Sequence, residues 1–459
     1  MFFLNYDKVE GLTKQEDEAL ERRLQLLNKP AVKTIKTEYG DIYDCVDFYQ
    51  QPAFDHPLLK HHTYHPQMKP TFSLTKRDEE PSTLRNTAKI LKDGGCPKGT
   101  VPIRRTTKED LIREQNADRF NASYAKGIFH FALEETSDDQ NNKFTGAGAW
   151  MSIYAPKVQN NQWSASVVKL QNGRDQIQAG WRVDPILYGD TRARFFVLFK
   201  SGTTQCFNTR CKGFIIVNGQ IPLDHIFPHV SKDGNIFEER FYIQKDLING
   251  NWWLRYGSDS TQLGYWPAEL FGGGLKNFAS KAAWGGEAFS LGPTFPPMGT
   301  GQFPQRDTSV DAYCRKISVI NSAGKTTNTG PVSKFEDASA LYRVSDKQTG
   351  DNEFGHLVFL GGPEYWYNTA YQSSAGMTPF RVSYGRDPPT VARYILPKAN
   401  LARAQNRMKS LADRWENGSM SNLNLIARTL FAFTSILNWE DVILGLSKSS
   451  NPLEMLRSK

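Results

Sequence analysis

The chain has 459 residues, of which 39% are hydrophobic and 23% charged, and it carries a net charge of +8. That length leaves room for about two to four domains, and the composition excludes a mainly disordered chain. No apolar run reaches the roughly 18 residues that a membrane helix needs, so no membrane partner is expected. From Glu364 onward there are 12 Lys and Arg against 7 Asp and Glu. An excess of that size is ordinary solvated surface, so nucleic acid is not expected as a partner either.

The first element reads as a helix. Thr13-Lys-Gln-Glu16 is a capping box, Leu20, Leu24 and Leu27 follow at helical spacing, and Pro30 closes the run. Residues 31 to about 115 read as irregular and polar. Within them, His61-His62-Thr63-Tyr64-His65 has the residue type of a metal site but no carboxylate or Cys at a useful spacing, and a polar loop is the reading preferred. From about Tyr124 short aromatic and β-branched runs alternate with Gly, Asn, Asp and Pro breaks. Ile128–Leu133, Ala149–Tyr154, Ser164–Leu170, Arg194–Phe199, Phe214–Val217, Phe241–Gln244, Trp252–Tyr256, Ile317–Ile320 and His356–Leu360 are predicted strands. Many short strands without intervening helices predict a sandwich or barrel. Beyond Pro363 the texture changes, and Ala399–Trp415 and Leu423–Leu446 are compatible with helix.

Five cysteines are present: Cys45, Cys96, Cys206, Cys211 and Cys314. Cys206 and Cys211 are close enough for a small disulfide loop in an oxidising compartment, or are two reduced thiols. Asn121-Ala-Ser123 is a glycosylation acceptor if the chain is secreted. The Met1–Leu4 run is too short for the apolar core of a signal peptide, so no export signal is visible.

The signatures of nucleotide-binding, dinucleotide-binding, zinc-protease and serine-hydrolase sites are missing. What stands out instead is a set of glycine–aromatic motifs. They are Ile177-Gln-Ala-Gly-Trp181 with Tyr188-Gly-Asp190, Trp252-Trp253 with Leu263-Gly-Tyr-Trp-Pro267, Trp284-Gly-Gly-Glu287, and Gly299-Thr-Gly-Gln-Phe-Pro304. Glycines beside aromatic rings make either a groove with a rigid wall or core tryptophans flanked by bulges.

With these motifs in this order, residues from about 9 to 363 resemble the plant neprosin family. The stretch 9–115 resembles its activation peptide through Val32-Lys-Thr-Ile-Lys36, Asp44-Cys-Val-Asp47, His56-Pro-Leu-Leu59, Met68-Lys-Pro70 and Gly95–Ile103. The stretch 124–363 resembles the catalytic domain. The resemblance implies an antiparallel β-sandwich, and with the N-terminal helix, the irregular activation region and the partly helical tail read above the chain is expected to be mainly β. It also implies a Cys206–Cys211 disulfide and a secreted or vacuolar endopeptidase that cuts after proline. That chemistry uses two glutamates, with no metal and no cofactor. The peptide substrate would be proline-containing, and the protein a monomer.

Glu287 matches the second catalytic glutamate of the family, but Gln178 stands where the first is expected. An amide cannot take or give the proton that two carboxylates share, yet its NH₂ can hydrogen-bond an oxyanion. A Gln/Glu pair is also used by an unrelated fungal class of glutamic peptidases. The expectation is that Glu287 is general base and Gln178 polarises the carbonyl, with Trp181, Tyr265 and Trp266 as substrate-binding groove wall. The rival readings are an impaired extracellular binder of Pro-rich or cell-wall chains and a non-functional fusion product. Leu341 occupies a position where the family carries a second-disulfide Cys, so the last strand is expected to fray. Residues 364–415 resemble the end of a retrotransposon integrase without its metal-binding carboxylates, so no integrase activity is expected. Residues 416–459 resemble nothing assignable.

Overall fold

The computed structural model describes residues 13–59, 63, 65, 68–72, 91, 94–123, 127–291, 294–349 and 353–362. The chain divides into two units, Met1–Tyr367 and Asn368–Lys459. All of residues 364–459, which include the second unit and the stretches on which the integrase resemblance and the tail rest, lie outside the described residues, as does most of the His61–His65 cluster.

The helix α1 (Lys14–Leu27) begins at the expected capping box, with both reciprocal bonds between Thr13 and Glu16 formed. The strands that follow are β1 (Ala31–Lys36), β2 (Ile42–Asp47) and β3 (Thr100–Arg104), and then comes helix α2 (Lys108–Ser123). The expectation of an irregular region over 31–115 is therefore corrected: it contains a three-stranded sheet in the order β1-β2-β3 and the start of a helix. Two features hid it from the sequence. Asp41 and Asp44 break the apolar alternation, yet both are buried because Arg104, Arg194 and Arg105 pair with them. Thr107 and Asp110 cap α2 reciprocally, using an Asp where a longer carboxylate is usual.

The remaining strands, in chain order, are β4 (Ile128–Thr136), β5 (Gly146–Ser152), β6 (Gln162–Asn172), β7 (Asp175–Val183), β8 (Ala193–Ser201), β9 (Thr204–Phe207) and β10 (Ile215–Ile216). After these come β11 (Glu238–Lys245), β12 (Trp252–Tyr256), β13 (Thr261–Trp266), β14 (Lys281–Ser290), β15 (Ala312–Ile320), β16 (Thr326–Thr327), β17 (Val332–Glu336), β18 (Arg343–Gln348) and β19 (His356–Gly361). They form two antiparallel sheets. One has seven strands in the order β17-β4-β14-β6-β7-β8-β9. The other has nine, in the order β10-β13-β12-β11-β5-β15-β19-β18 with β16 beside β15. All nine predicted strand runs fall on these elements. The fold is mainly β, as the sequence predicts.

The two sheets pack face to face over one large apolar cluster to which both contribute. Trp181 on β7 donates its indole N–H to the Ser152 carbonyl at 2.9 Å, and Trp284 on β14 donates to the Gly148 carbonyl at 3.1 Å. Both acceptors sit on β5 of the opposite sheet, so two tryptophans fill the core and fix the spacing of the sheets. The last strand does not fray. β19 is an internal strand, paired to β15 on one side and β18 on the other, and Leu341 packs against the core without any disulfide.

The N-terminal region shares this core through Val46, Phe48, Ala53 and Leu59. Gln51 donates to the Ile216 carbonyl and accepts from its N–H, each at 2.9 Å, so one side chain satisfies a residue of the β10 edge. Arg194 reaches Asp41 at 2.8 Å, and Arg104 bridges Asp41 and Asp110 at 3.0 Å each. Disulfides join Cys45 to Cys96 and Cys206 to Cys211. The first was not foreseen, and the second is the pairing that the resemblance implied.

Candidate active site

The motifs Ile177–Trp181 and Trp284–Glu287 each carry a tryptophan and a polar residue three positions apart. In a strand an odd separation puts two side chains on opposite faces. Trp181 and Trp284 therefore enter the inter-sheet core, and Gln178 and Glu287 stand on the outer face of the seven-stranded sheet.

The register shows how they meet. Glu287 lies opposite Ala165 on β6, whereas Gln178 lies opposite Lys169 on the same strand. Between these two rows runs Leu133–Gly285–Val167–Gly180–Phe196. Two of its five residues are glycine. A Cβ on Gly285 would come 2.2 Å from the Ala132 carbonyl, and one on Gly180 would come 2.0 Å from that of Ser166. Gly285 also has φ +140°, which other residues rarely adopt. The glycines leave a trough across which the long side chains extend. Gln178 Nε2 donates to Glu287 Oε1 at 3.1 Å. The two residues are 3% and 6% exposed, so the bond is largely shielded from water.

A third group joins them. The Lys169 ammonium forms an ion pair with the same Oε1 of Glu287 and lies 5.3 Å from the centre of the Phe131 ring. Glu135, the neighbouring carboxylate on β4, is already paired with Lys281 at 2.6 Å. Among the described residues, Glu287 Oε2 has no bonded partner. Lys169 belongs to none of the glycine–aromatic motifs, and its one signal in the sequence is that it is the only charged residue in the otherwise apolar and small-residue run Ser164–Leu170.

Aromatic rings flank the pair. Phe131 is directly opposite Glu287, Phe129 is opposite Phe289, and Phe289 is opposite Trp163. Phe129 lies 4.7 Å from Phe289 and 5.9 Å from Trp163, and Phe131 lies 5.9 Å from Phe335. Phe129 and Phe335 are 51% and 43% exposed. This outer-face cluster is separate from the inter-sheet core.

The expected groove wall is corrected. Trp181 is on the far face of β7, and Tyr265 and Trp266 belong to β13 in the opposite sheet. All three rings are completely buried, Tyr265 and Trp266 on opposite faces of β13 because they are successive residues of the strand. Strand alternation sends Trp181 away from Gln178, β13 belongs to the other sheet, and the rings beside the pair come from β4, β6, β14 and β17. Asn121 falls within α2, and its side chain is not among those described. The remaining thiol, Cys314, is enclosed, and burial pushes it up to about 12, which removes it as a nucleophile. Among the described residues no group of three or more His, Cys, Asp and Glu side chains is arranged to hold a metal ion.

Two family models match the chain. The neprosin activation peptide model covers residues 34–147, and the neprosin model covers residues 160–363. Both matches end by residue 363. Two solved structures of scytalido-glutamic peptidase are similar to it, one with a peptide based transition state analog and one with a transition state analog inhibitor. Each is 10% identical and covers 51% of this chain and 97% of that chain, with TM-scores of 0.26 and 0.27.

Proposed function

We propose that this neprosin-domain protein is a glutamic endopeptidase that cleaves peptides next to proline, acting as a monomer without a cofactor. The observation that carries the reading is the 3.1 Å bond between Gln178 and Glu287 across the glycine-flanked trough. It brings a carboxylate and an amide, 109 residues apart in the chain, to one shielded point.

In this reading Glu287 is the general base. Its Oε1 holds Gln178 and Lys169, and Oε2 takes a proton from water as that water attacks the scissile carbonyl. The Gln178 amide has two N–H groups. One orients Glu287, and the other donates to the oxygen of the tetrahedral intermediate. The outer-face rings Phe129, Phe131 and Phe335 supply flat apolar contact for a proline ring. Two disulfides suit an oxidising, secreted or vacuolar setting. No chemistry is assigned to the integrase-like residues 364–415.

The test is hydrolysis of a proline-containing quenched peptide by the full chain, beside Glu287→Gln. Cleavage that disappears in the variant supports the assignment, and equal cleavage overturns it. The exposed Phe129 and Phe335 rings also favour a second reading, binding of Pro-rich or cell-wall chains without hydrolysis. Peptide retention by an inactive native chain would establish it.

A further inference from the structure

We infer that Lys169 is the proton donor of this site, in the role for which a two-glutamate peptidase would use its other carboxyl group. The inference rests on the peptidase reading above. Peptide cleavage needs a proton on the departing nitrogen as the C–N bond breaks, and the amide of Gln178 cannot supply one.

The geometry singles out Lys169. It stands directly opposite Gln178 on the adjacent strand, and its ammonium touches Oε1 of Glu287. Among the described residues no other carboxylate contacts it. The ammonium also faces the Phe131 ring. Taking a lysine out of water is costly, and an apolar side chain would suit the surrounding Val167, Leu133 and Ala283 better if packing were its only purpose.

The proton count closes without a further reactant. The water oxygen bonds to the carbonyl carbon, and its proton passes to Glu287. The C–N bond then breaks as the Lys169 ammonium gives a proton to the leaving nitrogen. Neutral Lys169 recovers a proton from Glu287 across their existing contact, which restores the ammonium–carboxylate pair. The products are a carboxylic acid and an amine, and the only molecule consumed is water.

Lys169→Arg and Lys169→Met in the full chain separate proton donation from charge and packing. Arg keeps the positive charge but holds its proton with a pKa above about 12. The substrates are a proline-containing peptide and an activated nitrophenyl ester of the same acyl sequence, whose leaving group needs no proton. The expected result is that both variants lose about 10²–10⁴-fold in kcat on the peptide, with KM little changed. On the ester the loss is expected to be at least about 10-fold smaller than on the peptide, because only the peptide's leaving group needs a proton, and the remaining ester turnover also reports an intact site. Peptide cleavage by Lys169→Arg at the native rate overturns the inference, because charge alone then suffices. Equal losses on both substrates overturn it too, and so does faster cleavage by Lys169→Met, which would make the ion pair a block. If the native chain cleaves neither substrate, the peptidase reading falls and this one with it. If the native chain and both variants cleave the peptide alike, only the role of Lys169 falls.

Discussion

Gln178 and Trp181 sit three residues apart on β7 and face opposite sides of the seven-stranded sheet. Gln178 bonds Glu287 on the outer face, and Trp181 bonds the Ser152 carbonyl across the core. Trp181→Ala is therefore expected to cost about 3–5 kcal/mol of stability, as removal of a large buried ring does. The molecules that remain folded should keep the native KM for peptide. Urea unfolding and steady-state kinetics on the same preparation check both halves.

Gln178→Glu puts a second carboxyl beside Glu287 and Lys169. A carboxyl can donate the proton that the amide cannot, so this change is expected to restore peptide cleavage to Lys169→Met. The restored activity should be confined to the acidic side of the pH–rate profile, where one carboxyl of the pair remains protonated. A double variant as inactive as Lys169→Met alone would contradict the assignment.

Glu134 gives a pH dependence of stability. Burial, with Asp346 and Glu336 nearby and Lys334 only partly offsetting them, pushes its carboxyl up to about 7. One of its oxygens, Oε2, is buried without a hydrogen-bond partner. The folded state thus holds this proton more tightly than the unfolded chain, where Glu titrates near about 4.3. Below that value both states are protonated and nothing is lost. As pH rises from about 4 to about 7 the unfolded chain ionises first, and folding stability falls. Glu134→Gln should be neutral at pH 4 and stabilising by about 1–3 kcal/mol at pH 8. Denaturant unfolding at the two pH values measures this difference.

The two disulfides should differ in weight. Cys45–Cys96 spans a sequence separation of 51, and Cys206–Cys211 one of 5. Loop-closure entropy then predicts losses of about 4 and about 2 kcal/mol when each is removed. Paired Cys→Ser variants compared by thermal or urea unfolding should reproduce this order.

The strand-rich architecture was legible in the chain because short aromatic runs between turn residues have few other solutions. The N-terminal helix was legible because its capping box is local. The N-terminal sheet was not, because burial of Asp41 and Asp44 depends on arginines far along the chain. The Cys45–Cys96 pairing likewise depends on a fold that brings β2 and the 94–99 turn together.

Gln178 and Glu287 stand out in the sequence by resemblance, and the structure places their side chains in one hydrogen bond. Their surroundings were misjudged. Glycine beside Trp allows either a groove wall or core tryptophans, and the core alternative is the one the strands adopt: odd spacing sends the tryptophans to the core and the polar partners to the outer face. That alternation is a property of the strand, and it was already written in the spacing of both motifs. The row between Glu287 and Gln178, the seating of Lys169 on Glu287 and the Phe rings of β4, β14 and β17 are different in kind. They follow from the register of strands separated by more than a hundred residues, which backbone hydrogen bonding and sheet packing set only once the tertiary structure is formed.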